Sequence, residues 1–114
     1  MSKRSDKEFL SDIQEAVKRI RLYTDNMDYA KFSKDLKTQD AVVRNLEIVG
    51  EAIKNISEGL QTKHKEVAWK DLAKVRDKLI HHYFGVNFDI VWGIIEDSLP
   101  QISLQIGKIL SKIK

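Results

Sequence analysis

The sequence contains no cysteine, a single proline and five glycines in 114 residues. The lack of cysteine excludes disulfide bonds, thiol nucleophiles and cysteine-rich zinc sites. One proline and five glycines are too few for the turns of an all-β protein. The longest apolar run, residues 90–95, includes a glycine and is far shorter than the roughly 20 residues of a membrane-spanning helix. We therefore expect a helical protein that has no membrane segment.

The composition is that of a folded, soluble protein, with 42% hydrophobic and 32% charged residues. A chain of this length is expected to form a single domain over residues 1–114. Residues 1–12 are charged and have no apolar stretch of the kind found in signal peptides, so we expect a cytoplasmic location. The 20 basic and 17 acidic residues give a net charge of +3 and are interleaved. This balance permits contact with nucleic acid but does not require it.

Hydrophobic periodicity predicts four long helices and no strand. The first begins at Ser5, which forms a capping box with Glu8, and its apolar stripe is Phe9, Ile13, Val17 and Ile20. The pattern weakens over residues 24–40, where residues 28–32 indicate a short helix. The second helix is expected to start near Thr38 and to end with a C-cap at Gly59, followed by a polar hinge over residues 61–66.

The third predicted helix carries Trp69 and continues into His81, with Gly85 as its stop. Trp69 and Trp92 are expected in the core or in a dimer interface. Asn87 is a suitable N-cap for the fourth helix. Pro100 falls inside the stripe of that helix, so a kink or a break is expected near residues 97–98. The predicted fold is an all-α, antiparallel bundle of four helices, or of five if Pro100 divides the last.

Several common catalytic and binding motifs are missing. There is no Gly-x-Gly-x-x-Gly, no phosphate-binding loop and no Gly-x-Ser-x-Gly elbow. The three histidines, His64, His81 and His82, do not form the His-x3-His pair of a helical zinc site. We therefore expect neither a metal site nor a cofactor.

One stretch has the residues for metal-free RNA cleavage: residues 76–85, RDKLIHHYFG. Arg76 keeps its charge at all ordinary pH values, and His81 titrates near neutrality. Transesterification of RNA needs a base for the 2′-hydroxyl, an acid for the 5′-oxygen and a cation for the phosphorane. The alternative is that Arg76 pairs with a carboxylate while the histidines cap the helix C-terminus. The spacing alone leaves both interpretations open.

Helix geometry complicates a site within one chain. At 100° per residue, Arg76 and Tyr83 nearly eclipse, whereas His81 lies about 140° around the helix from Arg76. Either the helix distorts as it ends near His81, or a second subunit contributes to the site. This mismatch and the long apolar stripe of the fourth helix both favour a homodimer with two-fold symmetry.

The sequence resembles the HepT-like branch of the HEPN proteins over nearly its whole length. The matching elements are residues 37–52 (KTQDAVVRNLEIVGEA), Trp69, the Arg76-x4-His81-x-Tyr83-Phe-Gly motif, Ile90-Val-Trp92 and Leu99-Pro100. The motif within these flanking residues is far more specific than Arg-x4-His alone.

This resemblance implies a dimerising helical bundle that is a metal-independent endoribonuclease, the toxin of a type VII toxin–antitoxin pair. The implied antitoxin is an MNT-type nucleotidyltransferase that adds AMP to the motif tyrosine. Arg76 then binds the phosphate, His81 is the general acid–base and Tyr83 is the modified residue. Asp77 matches a polar position that follows the motif arginine.

Three further residues are possible supporting members of the site. His82 fits a looser Arg-x5-His spacing, and only Tyr83 sets the register in favour of His81. Asn45 and Glu51 lie beside the stripe of the second helix, where they belong either to a buried polar network or to a solvated face. The alternative function is a catalytically silent HEPN module that binds a nucleotide or a nucleotidyltransferase.

Overall fold

The computed structural model describes residues 4–81 and 87–113, and for residues 76–81 it describes the helical backbone alone. The elements in this part of the chain are α1 (Asp6–Tyr23), α2 (Tyr29–Phe32), α3 (Leu36–Lys54), α4 (Glu58–Lys63), α5 (Trp69–His81), α6 (Phe88–Gly93), a π-helical segment (Ile94–Ser98) and α7 (Leu99–Lys112). None of the described residues lies in a strand. The long helices α1, α3, α5 and α7 correspond to the four that periodicity predicts, which confirms the all-α fold class.

Side-chain N-caps begin the helices where local sequence signals predict them. Ser5 Oγ accepts a hydrogen bond from the Glu8 N–H at 3.2 Å, and the Glu8 carboxylate accepts one from the Ser5 N–H at 3.1 Å. The hydrogen bond from the Ser5 backbone is the main reason that the pKa of Glu8 lies below its ordinary value. Asn87 caps α6 by accepting the N–H of Asp89 at 2.9 Å, and Asp28 caps the short helix α2. The capping box, the short helix and the Asn87 cap are thus confirmed.

Helix α3 begins at Leu36, two residues before the predicted start near Thr38. The cause is Asp35, whose carboxylate accepts the Thr38 N–H at 3.0 Å and the Thr38 hydroxyl at 2.8 Å. The first of these hydrogen bonds is the largest cause of the lowered pKa of Asp35. An aspartate cap therefore starts the helix ahead of its first periodic residue.

Gly59 lies inside α4, so the C-cap predicted there is wrong. Helix α3 ends at Lys54, and Ser57 begins α4 by accepting the Leu60 N–H at 3.2 Å. The apolar spacing continues across this break, which is why periodicity indicated one longer helix. The predicted hinge over residues 61–66 begins with the last residues of α4.

Ser57 also joins the end of α3 to the start of α1. Its N–H donates to Asp6 Oδ1 at 2.9 Å, and its hydroxyl donates to Asp6 Oδ2 at 2.6 Å. Asp6 is the first residue of α1, whereas Ser57 follows the end of α3. The two helices therefore run antiparallel, as the bundle prediction requires.

The core is centred on α1 and α3. Helix α1 packs against α3 and α7, and α3 packs against α5. The buried side chains of these helices repeat every three or four residues: Leu10, Ile13, Val17 and Ile20 in α1, Val42, Leu46, Val49 and Ile53 in α3, and Leu99, Ile102, Ile106 and Ile109 in α7. The stripe of α7 is thus buried within the chain, so it no longer argues for a dimer.

Phe32 anchors the connection between α1 and α3. Its side chain has no exposed surface, and its ring centroid lies 5.1 Å from that of Trp92 and 6.0 Å from that of Phe88. Tyr29 stands on the outer side of Trp92 at 6.4 Å, and its hydroxyl is hydrogen-bonded to Asp89, which raises the pKa of Tyr29. These aromatic contacts hold α2 against the start of α6.

The break predicted near residues 97–98 is a π-helical segment. It spans Ile94–Ser98, and the Leu99 N–H bonds to the Ile94 carbonyl five residues earlier. Pro100 lies in the first turn of α7, where it has no N–H to donate and its ring crowds the carbonyl four residues before it in an α-helix. The wider π turn relieves this steric clash and the missing hydrogen bond while the chain remains helical.

None of the helices in the described ranges is both long enough and apolar enough to cross a membrane.

Candidate active site

Helix α5 carries the Arg-x4-His motif and is fixed at its start by Trp69. The Trp69 side chain is buried, and its Nε1–H donates to the His64 carbonyl at 2.8 Å. Leu72, one turn further on, is also buried, and α5 packs along α3. Trp92 packs partly buried against the core. Trp69 thus belongs to the core, as one of the two expected locations, whereas Trp92 lies at the edge of the core and is partly exposed.

Arg76 and His81 lie on one continuous α-helix, since α5 keeps its α-helical backbone through His81. The two positions are therefore separated by about 140° around the axis and about 7.5 Å along it. Of the two alternatives for bringing these groups together, a distortion as the helix ends near His81 is not seen up to His81, and residues 82–86 lie outside the described residues.

The two motif positions fall on opposite sides of α5. Position 76 lies about 20° from Trp69 and about 40° from Leu72, both of which are buried. Position 81 lies about 20° from Lys70 and from Lys74, both of which are exposed. The arginine position thus borders the core, whereas the histidine position is on the solvent side.

Asp77 is placed one helical turn before His81. Residues four apart on an α-helix are neighbours on one face, and α5 is regular across this interval. An aspartate in this position can orient an imidazole by accepting its second N–H.

Two candidate residues, His82 and Tyr83, lie outside the described residues, as does the predicted stop at Gly85. The roles assigned to both candidates therefore remain predictions.

Asn45 and Glu51 differ in their surroundings on α3. Asn45 is buried, and its Nδ2–H donates to the Ala41 carbonyl of the same helix at 2.9 Å. Glu51 is exposed and lines a groove of about 250 Å³ between α1 and α3 together with Arg4 and Arg44. Asn45 is thus buried and bonded to the backbone of its own helix, whereas Glu51 lies on an exposed face.

An apolar groove adjoins the motif on the side of α6 and α7. Its volume is about 380 Å³, and its apolar walls include Leu72, Val75, Ile90 and Ile94. Val75 directly precedes Arg76, and Ile90 is 58% exposed. An exposed isoleucine beside an apolar groove is the kind of surface that another protein chain covers.

Sequence comparison identifies the family. The model of the ribonuclease HepT-like family matches residues 13–109, a span that includes all of α5. The chain belongs to the ribonuclease HepT-like family. The family assignment drawn from the Arg76-x4-His81-x-Tyr83 motif and its flanks is therefore confirmed.

Three relatives in this family match along nearly their whole length. A provisionally named RNase of Methanocaldococcus jannaschii is 45% identical over 100% of this chain and 94% of its own. A protein of Thermococcus cleftensis named "probable ribonuclease HepT" is 42% identical over 94% of this chain and 97% of its own. A provisionally named RNase of Caldanaerobacter subterraneus is 40% identical over 92% of this chain and 90% of its own. No solved structure gives a significant match.

One feature of this HepT-like helix was missed at the level of sequence. Lys70 and Lys74 precede His81 by eleven and seven residues, spacings that place all three positions on one helical face. The signal was present in the spacing alone, but which face of the helix is exposed was not.

Proposed function

We propose that this HepT-like protein is a metal-independent endoribonuclease and the toxin of a type VII toxin–antitoxin pair. The observation that carries the proposal is the family match across residues 13–109, which includes the helix with Arg76 and His81. Relatives named as ribonucleases support RNA as the substrate. Arg76 and His81 are the catalytic residues, and Tyr83 is the site of regulation.

The reaction is an internal transesterification. The neutral imidazole of His81 takes the proton from the 2′-hydroxyl, whose oxygen attacks the adjacent phosphorus. The guanidinium of Arg76 stabilises the charge that develops on the phosphorane oxygens. The bond to the 5′-oxygen breaks, and that oxygen receives the proton that His81 took from the 2′-hydroxyl. The products are a 2′,3′-cyclic phosphate and a free 5′-hydroxyl.

Asp77 supports His81 from one turn away on the same face. A carboxylate that accepts the second N–H of the ring sets its tautomer and stabilises the imidazolium that forms on proton uptake. Asn45 supports the site indirectly, because its buried amide lies on α3, the helix against which α5 packs. Glu51 and His82 remain supporting candidates.

The active form is a homodimer in which two motif helices face a common cleft. The separation of about 140° between Arg76 and His81 on one regular helix supports a site that combines residues of two subunits. Two-fold symmetry then gives each dimer two such sites. The exposed Ile90 offers an apolar side chain for the contact.

Silencing by an MNT-type nucleotidyltransferase acts on Tyr83. The phenolic oxygen attacks the α-phosphorus of ATP, the phenol loses its proton, and pyrophosphate leaves. The phosphodiester of the bound AMP occupies the Arg76 guanidinium in place of an RNA phosphate. The adenosine then blocks RNA, so the modification inhibits by both charge and bulk.

The direct test is RNA cleavage by the purified chain in the presence of excess EDTA. We expect cleavage of single-stranded RNA with products that end in a 2′,3′-cyclic phosphate, identified by mass spectrometry. An RNA in which every 2′-hydroxyl is replaced by a 2′-O-methyl group should not be cleaved, since the attacking oxygen is then blocked.

Two results would contradict this function. Cleavage that depends on an added divalent cation would overturn the Arg–His mechanism. Tight binding of RNA or a nucleotide without any turnover would instead favour the catalytically silent HEPN module.

Tyr83 should be the single acceptor of AMP when the chain is coexpressed with an MNT-type nucleotidyltransferase. The chain has three tyrosines, which allows matched controls. Tyr83→Phe should abolish the mass increase and leave RNA cleavage active. Tyr23→Phe and Tyr29→Phe should retain the modification, because these residues lie on α1 and α2. Inhibition of the toxin without any AMP on Tyr83 would disprove the assignment.

A further inference from the structure

Exposed lysines lie on the same face of α5 as the position of His81. Lys70 and Lys74 are four residues apart and exposed, and the position of His81 lies between them in angle, about 20° from each. Lys63 and Lys65 are exposed in the segment that precedes α5. These four residues, Lys63, Lys65, Lys70 and Lys74, are called the lysine track below.

The lysine track is not neutralised within the described part of the chain. No ion pair there includes any of its four lysines, whereas Arg4, Arg19 and Arg44 each pair with a carboxylate at 2.6, 3.2 and 3.7 Å. Surface charges that lack a local partner are available to a polyanion.

The acidic residues near the lysine track do not cancel it. Glu66 lies 3.4 Å from His64 Nδ1, and Asp71 lines the same groove as Lys65 and Lys70, so these two carboxylates offset only part of the charge of the four lysines. Asp77 shares the face of the track, but it is next to His81, where the proposed function uses it to orient the imidazole. The face thus remains positive between Lys70 and Lys74.

A groove continues the track beyond the start of α5. Its volume is about 610 Å³, and Gln61, Thr62, Lys65 and Lys70 are among its walls. Hydrogen-bonding side chains in the same groove as two lysines are suited to sugar and phosphate oxygens. The groove and α5 together form one path from the α4–α5 connection to the motif.

We infer that the lysine track binds the phosphate backbone of single-stranded RNA on one side of the bond that is cleaved. This inference rests on the proposed function, because it takes RNA as the ligand and His81 as the point of cleavage. Lys74 and Lys70 lie about 10.5 and 16.5 Å along the axis from position 81. They therefore contact phosphates several nucleotides away from the cleaved bond.

The test compares the double variant Lys70→Gln/Lys74→Gln with a matched control, Lys108→Gln/Lys112→Gln. The control pair is also exposed and four residues apart, but it lies on α7, so both variants lose the same charge. The probe for binding is a 12-nucleotide 2′-O-methyl oligouridylate, which cannot be cleaved. The substrates are a 12-nucleotide RNA and a dinucleotide.

We expect the track variant to bind the 12-nucleotide probe about tenfold more weakly, with a salt slope reduced by about 1.4 because each lost phosphate contact contributes about 0.7. Its KM for the 12-nucleotide RNA should rise about tenfold with kcat unchanged. Its kcat/KM for the dinucleotide, which is too short to reach Lys74, should stay within twofold of wild type. The control should match wild type in every assay.

An equal loss of affinity in both variants would show a general effect of net charge and would contradict RNA binding by the lysine track. An unchanged KM for the 12-nucleotide RNA in the track variant would overturn it as well. If wild type binds the probe through Lys70 and Lys74 but cleaves no RNA, the track stands and the ribonuclease proposal fails. Circular dichroism of all three proteins confirms that they are folded.

Discussion

Replacement of His81 by alanine is expected to lower kcat for RNA cleavage about 10²–10⁴-fold, the usual contribution of general acid–base catalysis. Arg76→Ala should lose a comparable factor, because a fixed cation that faces the phosphorane contributes several kcal/mol to transition-state stabilisation. His82→Ala should retain most activity and serves as the matched control one position away. A greater loss in His82→Ala than in His81→Ala would show that the register of the motif is wrong.

Mixing the two inactive variants tests whether the site spans two subunits. If Arg76 and His81 of one site come from different chains, a heterodimer of Arg76→Ala and His81→Ala has one intact site of two. Random exchange makes about half of the dimers mixed, so the mixture should recover about one quarter of wild-type activity. Light scattering should report a dimer throughout. No recovery in a mixture that contains heterodimers would place both groups in the same chain.

Replacement of Phe32 by alanine is expected to destabilise the fold by about 3–5 kcal/mol, the usual cost of truncating a fully buried phenylalanine. The side chain has no exposed surface, so its loss leaves a cavity beside Trp92 and Phe88. The two aromatic contacts at 5.1 and 6.0 Å disappear with it, and such pairs contribute about 0.5–1.5 kcal/mol each beyond burial.

Urea denaturation measures this change in the free energy of unfolding. Phe9→Ala is the matched control, because Phe9 is half-buried near the start of α1 and should cost less. Phe32→Leu should recover much of the loss by refilling the cavity. A cost below about 1 kcal/mol for Phe32→Ala would show that the site collapses without penalty.

The importance of Phe32 shows where prediction from sequence was weakest. The helices α1, α3, α5 and α7 were predictable because their apolar residues recur every three or four positions over several turns. A helix of four residues such as α2 has no period to detect, so one buried phenylalanine there is indistinguishable from an exposed one. Its burial depends on Trp92 and Phe88, which are distant in sequence.

Helix boundaries were predictable where a single local signal sets them. Ser5 and Asn87 carry their capping acceptors in the same turn that they cap, and both were assigned correctly. Ser57 caps α4 by the same chemistry, but the apolar spacing across it pointed to one longer helix ending at Gly59. Periodicity indicates which residues face the core, but it does not detect a turn, such as the one at Ser57, after which the same face still packs inward.

The catalytic motif of the candidate site was predictable from the sequence, but the exposed surface around the motif was not. The spacing of Arg76 and His81 revealed their separation around the helix, and the regular backbone of α5 agrees with that arithmetic. The relation of His81 to Lys70 and Lys74 follows from the same arithmetic, but which face is exposed depends on how α5 packs against α3. That information comes from tertiary structure.

The π-helical segment before Pro100 has a consequence for evolutionary comparison. Val91, Ile95 and Leu99 are all buried although each follows the previous one by four residues. In a regular α-helix, Leu99 would therefore be rotated about 80° around the axis from Val91. The wider π-helical turn over Ile94–Ser98 compensates for this rotation and corresponds to one inserted residue. Relatives one residue shorter at this point should therefore have an unbroken α-helix and lack the proline. Alignments should place single-residue gaps in the π segment and preserve the register of α7.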